Sequence, residues 1–319
     1  MWRILAKGEF NVVHTHCSKA GAIGRIAGKL CGVKKICHSG HCFAFRRCGN
    51  FVTKRVYLGI ERILAKFTDV FIAVSESEAL SARRWKIYED KKICVIYNGL
   101  AFDKEAIEVV TGRRNNSLRA YFKIPEGMQV AATVCRLVDY KGVFDFLEAA
   151  RICKSDAVFL IAGDGPLREK VQEFITARGL WGRVRMLGHV SNMEVLYSIC
   201  DLVVLCSKLE AQPYVILESM QAGLGVIASD VEGNRELVRD GRGVLVKAEA
   251  KLFAEAIDDL LIYRDRRDFL GKNGRDYVKK YHKLKDQIEK LNDVYVDKKC
   301  KGERIVSIAK GVAGTKCTG

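Results

Sequence analysis

The chain has 319 residues, 49% of them hydrophobic, enough for one large or two medium globular domains. No apolar run approaches the roughly 20 residues that span a bilayer, which excludes a transmembrane helix, and the start "MWRILAKGEF" lacks the apolar core of a secretory signal. The expected location is therefore the cytoplasm, and the formal charge of +16 calls for an anionic partner: nucleic acid, an acidic membrane or a phosphorylated substrate.

Short apolar runs alternate with helical stretches along the chain. "NVVHTH", "KKICHS", "DVFIAVS" and "KICVIYNG" come first. "QVAATVCRL", "AVFLIAGDG", "VRMLGHV", "LVVLCS", "GVIASDVEG" and "GVLVKA" follow. Each is continuously apolar, as in strands covered on both faces of a parallel sheet. The alternation predicts right-handed βαβ units in a doubly wound α/β architecture. A polar break near "VTGRRNNS" divides the runs into two sets. The expected domains are 1–105 and 126–296, joined by a linker over 106–125 and followed by a loose tail over 297–319. Two Rossmann-like domains would face each other across a ligand-binding cleft. The twelve cysteines are scattered without a C-x-x-C, and read as buried free thiols.

The most informative stretch is "SKLEAQPYVILESMQAG", residues 207–223. Pro213 can open a helix, leaving Glu210 on the loop before it and Glu218 within it. Two carboxylates so placed can reach two parts of one ligand, and the free N–H groups at the helix start can hold a phosphate between them. In "VCRLVDYKGVFDFLEAA", Arg136 and Lys141 bracket a turn at the carboxyl end of an apolar strand. A planar guanidinium and a flexible ammonium there suit a diphosphate. "LIAGDGPLREKV" adds a strand, a glycine turn and a proline at a helix start.

Together and in this order, these motifs resemble the family 4 (group 1) retaining glycosyltransferases of the GT-B fold. The likeness runs from "VVHTHCSKAGAIGRIA" through "IYNGL", "CRLVDYKG", "IAGDGP" and "LGHVS" to "DVEGNRELVRDGRGVLV". It implies an enzyme that moves a sugar from a UDP- or GDP-sugar to a polysaccharide, glycolipid or lipid-linked acceptor. Under it, Arg136 and Lys141 bind the donor diphosphate, Glu218 the ribose hydroxyls and Glu210 the sugar near its reacting carbon. Val190, at the "LGHV" strand end, lines the base. With cations to stabilise the departing diphosphate, no metal and no cofactor is implied.

"KKICHSGHCFAF", residues 34–45, sets Cys37, His38, His41 and Cys42 close together. Neighbours on a strand point to opposite faces, so the adjacent pairs do not suit one tetrahedral zinc. The resemblance instead casts His41 as a cleft residue that touches the donor sugar or the acceptor, titrating near working pH. His14 and His16 are expected to shape the loop. Three positions depart from the family pattern: Cys42 and Ala211 where glycine is usual, and Gly225 where "AGLP" would run. The family's first domain also opens with further βα units, so this one is expected to be incomplete. The missing units would lie upstream, come from a separate chain, or be lost, and in the last case the chain could bind nucleotide sugar without turnover.

"FRRCGNFVTKRVYLGIERILAKF" mixes cations with apolar residues at helical spacing. It reads either as a core-facing helix with a solvated basic face or as a helix lying on an anionic membrane. Elsewhere the cations are spread over many elements without a recognised module, so nucleic acid is not an expected partner.

Overall fold

The computed structural model describes residues 1–101 and 116–296. The first ten residues of the expected linker (106–115) and the expected tail (297–319) lie outside them.

All ten apolar runs form strands. β1 (Val12–His16), β2 (Lys35–Ser39), β3 (Val70–Ala73) and β4 (Ile93–Val95) make a parallel sheet in that spatial order. Around them lie α1 (Trp2–Lys7), α2 (Ser18–Leu30), α3 (Phe51–Ala65) and α4 (Glu76–Arg84). Successive strand residues serve opposite faces. Phe71 and Ala73 pack with Leu58 and Ala65 of α3 and with Ala79 and Ala82 of α4, whereas Ile72 between them faces the other way.

The second sheet is also parallel, in the order β10-β9-β8-β5-β6-β7. Its strands are β5 (Gln129–Val134), β6 (Ala157–Ala162), β7 (Val184–Gly188), β8 (Leu202–Leu205), β9 (Gly225–Ser229) and β10 (Val244–Val246). The chain builds outward from β5 to β7, then returns to lay β8 on the other side of β5. That reversal is a topological switch point, where the loops leaving adjacent strands diverge and open a crevice. The elements that border it are α6 (Val143–Ile152), which follows β5, α9 (Tyr214–Gln221), which follows β8, and α10 (Glu232–Val238), which follows β9.

Two domain boundaries differ from the expected ones. Residues 116–121, expected as linker, form helix α5 (Asn116–Tyr121). It joins the second domain: Arg119 donates to the Ile199 carbonyl at 2.9 Å, and Ile124 just after it is buried in that domain's core. The last described helix, α13 (Leu284–Tyr295), was expected with the second domain but packs on the first. Its Val294 is buried against Cys37, Ile72, Cys94 and Ile96, and Tyr295 Oη bonds His14 Nδ1 at 2.7 Å. The physical reason is the parallel sheet, which must be covered on both faces. Helices α2 to α4 cover one, and α13 crosses back to cover the other.

Of the cysteines, Cys42, Cys135, Cys153, Cys200 and Cys206 are buried free thiols. In α3, Leu58, Glu61, Leu64 and Ala65 are buried, while Phe51, Val52, Val56, Tyr57, Ile60 and Ile63 are exposed. Most of the apolar residues in this segment therefore face outward and do not enter the core.

Candidate active site

A cavity of about 280 Å³ lies between the domains. His41, Cys42 and Arg47 line it from the first domain. Lys141, Glu210, Gln212 and the first turn of α9 line it from the second. Sequence-predicted residues His41, Lys141 and Glu210 thus meet in one space. Arg136, Val190 and Glu218 do not line it. Arg136 is exposed on the loop after β5, and Val190 packs beside the core around β6. Glu218, half-buried in α9, accepts the Tyr197 hydroxyl at 2.8 Å. Burial pushes its carboxyl above the usual range, and the Tyr197 bond opposes that shift.

Lys141 and Glu210 owe their meeting to topology, since their loops leave the adjacent strands β5 and β8. Lys141 Nζ donates to Glu210 Oε1 at 2.5 Å, and Lys208 N donates to the Tyr140 carbonyl at 2.8 Å, which ties the loops together. Two glycines make this approach sterically open. Gly142 has φ +68°, and a Cβ on it would lie 2.1 Å from the Cys206 carbonyl oxygen. A Cβ on Gly233, in α10, would lie 2.4 Å from the Glu210 carbonyl oxygen. Ser229 Oγ donates to the Ser207 carbonyl, and Asn234 donates in turn to Ser229, so the loop before Glu210 rests on a buried polar chain.

The His41 loop is held by other means. His41 and Cys42 have φ +49° and +82°, a region that side chains disfavour. Cys42 stands where glycine is usual in the family, at a bend that glycine adopts easily. Cys42 adopts that bend, and buried Glu78 clamps it, accepting Cys42 N at 3.0 Å and Val74 N at 2.9 Å. Burial raises the Glu78 carboxyl above its ordinary range, against the pull of these N–H donors. Glu78 was missed at the sequence level, although "SESE" is a visible signal. Ser75 caps α4 by accepting Glu78 N at 3.1 Å, the S-x-x-E capping arrangement. Burial also pushes the Cys42 thiol up to about 12, which leaves it inert as a nucleophile.

His41 Nε2 and His16 Nδ1 are 2.9 Å apart, and the His16 ring lies 4.2 Å from that of His14. Burial, then the neighbouring His16, lowers the His41 pKa. Burial likewise lowers His16, and takes His14 down to about 3. The direction favours the neutral imidazole, which can donate one hydrogen bond and accept another.

Gln212 was also missed. Its Oε1 accepts Asn98 N at 2.6 Å across the cleft, and its carbonyl accepts Asn98 Nδ2 at 3.1 Å. Its Nε2 is buried without a protein partner. Further cross-domain contacts are Arg46 to Glu232 at 2.7 Å and Glu236, which accepts the N–H groups of Glu76 and Ser77.

Two parallel-sheet domains with a cationic and a carboxylate side chain on the cleft are the architecture of GT-B glycosyltransferases. The model for Glycosyltransferase Family 4 matches residues 1–104, and that for Glycosyl transferases group 1 matches residues 115–277. The chain belongs to this glycosyltransferase family. It is 29% identical over 309 residues to an Escherichia coli UDP-Gal:alpha-D-GlcNAc-diphosphoundecaprenol alpha-1,3-galactosyltransferase, a match that takes in 93% of this chain and 78% of that protein. It is 30% identical to a Campylobacter jejuni N,N'-diacetylbacillosaminyl-diphospho-undecaprenol alpha-1,3-N-acetylgalactosaminyltransferase, over 72% of this chain and 60% of that one. Among solved structures, Anabaena Alr3699/HepE in complex with UDP and glucose superposes with TM-score 0.81 at 20% identity, over 92% of this chain and 80% of that one. That likeness carries the fold. Among the described residues no helix is long and apolar enough to cross a membrane.

Proposed function

We propose that the chain transfers a hexose, with retention of configuration, from a nucleotide sugar to an acceptor linked to a polyprenyl diphosphate. The observation that carries this is the meeting of His41, Lys141 and Glu210 in one interdomain cavity. The names of the two relatives above support the acceptor class.

In this reading the donor enters between α9 and the Lys141 loop, and displaces Lys141 from Glu210. Lys141 and the first-turn N–H groups of α9 face the diphosphate, where negative charge grows as the sugar–phosphate bond breaks. Arg136 swings in from solvent to join them. Glu210 stands by the reacting carbon, Glu218 takes the ribose hydroxyls and Val190 borders the base. Neutral His41 orients a sugar hydroxyl. Arg47, which stacks over Tyr140 at 4.8 Å, closes the cleft from the first domain.

The first domain sits against an anionic membrane surface in this reading. Residues 1–66 hold thirteen Lys and Arg against two Glu, a net of +11 within the whole chain's +16. The exposed apolar residues of α3 lie among these cations.

The test is turnover of UDP- and GDP-sugars with a short-chain prenyl-diphosphate-GlcNAc acceptor, alongside a thermal-shift screen of the same donors. Transfer that falls in Glu210→Gln and Lys141→Ala supports the proposal. A second reading, nucleotide-sugar binding without turnover, draws on the exposed Arg136 and on the ion pair that engages both Lys141 and Glu210. It predicts donor-dependent stabilisation with no product from any acceptor.

A further inference from the structure

Glu210 belongs to the second domain, yet the residues on either side of it are seated on the first. Leu209 and Ala211 pack with Cys42 and Val74 of the first domain. Gln212 Oε1 accepts Asn98 N at 2.6 Å, and the Gln212 carbonyl accepts Asn98 Nδ2 at 3.1 Å. Asn98 follows β4, on the segment 98–101 that carries the chain out of the first sheet. Asn98, Glu210 and Gln212 all line the active-site cavity.

Segment 98–101 is itself fixed. It pairs with residues 282–284, where the chain turns back toward the first domain. Leu100 N donates to the His282 carbonyl at 2.8 Å, and Leu284 N donates to the Leu100 carbonyl at 3.0 Å. A Cβ on Gly99 would lie 2.6 Å from the Lys283 carbonyl oxygen, so this approach needs glycine. The Asn98 carbonyl can only accept, so His282 Nδ1, at 2.8 Å, carries its proton toward it. The outgoing and returning chain thus meet at Asn98, which is bonded directly to the Glu210 loop.

The Gln212 amide gives up part of its own bonding to make this contact. Asn98 N is a donor, so Oε1 has to face it. Nε2 is then left buried without a partner among the described residues, which costs stability.

We propose that Gln212 is a positioning residue for sugar transfer: it ties the Glu210 loop to the first domain through Asn98, and so sets where Glu210 stands over the donor sugar. The inference rests on the transferase reading above and names what places that carboxylate. Lys141 and the first turn of α9 hold the donor from the second domain alone. Loss of the tie therefore lowers kcat and leaves donor affinity as it was.

Turnover is followed with UDP-galactose, UDP-glucose and GDP-mannose as donor probes and the short-chain prenyl-diphosphate-GlcNAc acceptor. Amide exchange is read by mass spectrometry on peptides covering 96–101 and 207–214. Gln212→Met keeps the side chain's length and removes the acceptor. It should lower kcat about tenfold or more at unchanged donor affinity, and speed exchange in both peptides. Gln212→Glu keeps an acceptor for Asn98 N, and should restore the slow exchange and part of kcat. Gln221→Met removes a similar bond, from Gln221 Nε2 to the Ala101 carbonyl at 2.7 Å, at the far end of α9, and should leave kcat as it was. Parent-like kcat in Gln212→Met, or an equal loss in Gln221→Met, would overturn the assignment. A matching loss of donor affinity would make Gln212 a donor-binding residue and overturn it too. If Gln212→Met does not fold, Asn98→Ala decides, since it removes only the Nδ2 bond: a kcat loss at constant donor affinity supports the tie, and parent-like kcat overturns it. If the parent chain turns over none of the donors, the transferase reading falls and exchange alone judges the tie. Faster exchange over 207–214 in Gln212→Met then keeps it, and unchanged exchange removes it.

Discussion

The two domains bring their halves of the cleft into place by different means. The second relies on a continuous apolar core, on glycine and on the uncharged Ser207–Ser229–Asn234 hydrogen-bond chain. Val143, Phe146, Phe159, Ile161, Phe253 and Ile257 are buried together, and Gly142 and Gly233 let backbones approach around Lys141 and Glu210. The first relies on buried polar groups and on bends that side chains resist. Arg25, fully buried, donates to Glu61 at 2.7 Å and to the Tyr88 hydroxyl at 2.9 Å, and Glu78 holds the His41–Cys42 bend. A glycine bend needs no partner, whereas a clamped bend is as sound as its clamp. The first domain should therefore be the more sensitive to single substitutions and to pH.

The largest expected effect is at the Arg25–Glu61 pair. Glu61→Ala leaves the Arg25 charge buried without its carboxylate, and should cost about 3–5 kcal/mol in denaturant unfolding. Glu61→Gln keeps shape and one acceptor, and should cost less. If both are tolerated, the first domain does not depend on this pair.

Acidification comes next. Burial lowers His38 to about 2 and His282 to about 4, from the ordinary value of 6.5. The unfolded chain then binds more protons than the folded one below pH 6.5. The stability these two groups contribute is fully present above that pH, and is lost as pH falls through the window between unfolded and folded values. The slope is about 1.4 kcal/mol per pH unit for each histidine. Melting curves between pH 7 and 5 should show Tm falling steeply. A flat Tm across that range would contradict the burial of both rings.

Third is the clamp itself. Glu78→Ala leaves the Cys42 and Val74 N–H groups unmet and frees the bend, at about 1–3 kcal/mol. Transfer activity should fall with it, since His41 loses its position, while nucleotide-sugar binding to the second domain persists. Equal loss of both would mean that Glu78 supports the whole fold and not this loop.

Smaller still is the contrast at the bend. Cys42→Val places a β-branched residue at φ +82° and should cost about 1–3 kcal/mol, whereas Cys42→Gly should stay within about 1 kcal/mol of the parent. The smallest effect is on α3, where Ile60→Glu should change stability by no more than about 0.5 kcal/mol, because the side chain is exposed. Loss of binding to anionic vesicles in that same variant would give the exposed face a membrane role.

The contrast between domains also governs what could be read from the sequence. Parallel strands covered on both faces leave unbroken apolar runs, so all ten strands were legible. Lys141 was read from the end of an apolar strand and Glu210 from the loop before the Pro213 helix start, and both line the cavity because those loops leave adjacent strands. Arg136 was legible as a motif residue, yet stands in solvent here, because a long flexible side chain without a buried partner is not positioned by the backbone. The return of α13 to the first sheet was not legible, since its amphipathic pattern fits either domain. Nor was Glu78 as a clamp, because the capping signal marks a helix start and says nothing of the loop that the carboxylate also reaches. The downward shift of His41 comes from burial and then from His16, neither of which spacing reveals.

The central claim is that the two domains close on one nucleotide sugar through His41 on one side and Lys141 on the other. A double-mutant cycle on kcat/KM, with His41→Ala, Lys141→Ala and the pair, tests it most directly. The account predicts that each single variant loses activity and that the losses are coupled by about 0.5–3 kcal/mol. Strictly additive losses, or full activity in either single variant, would contradict it.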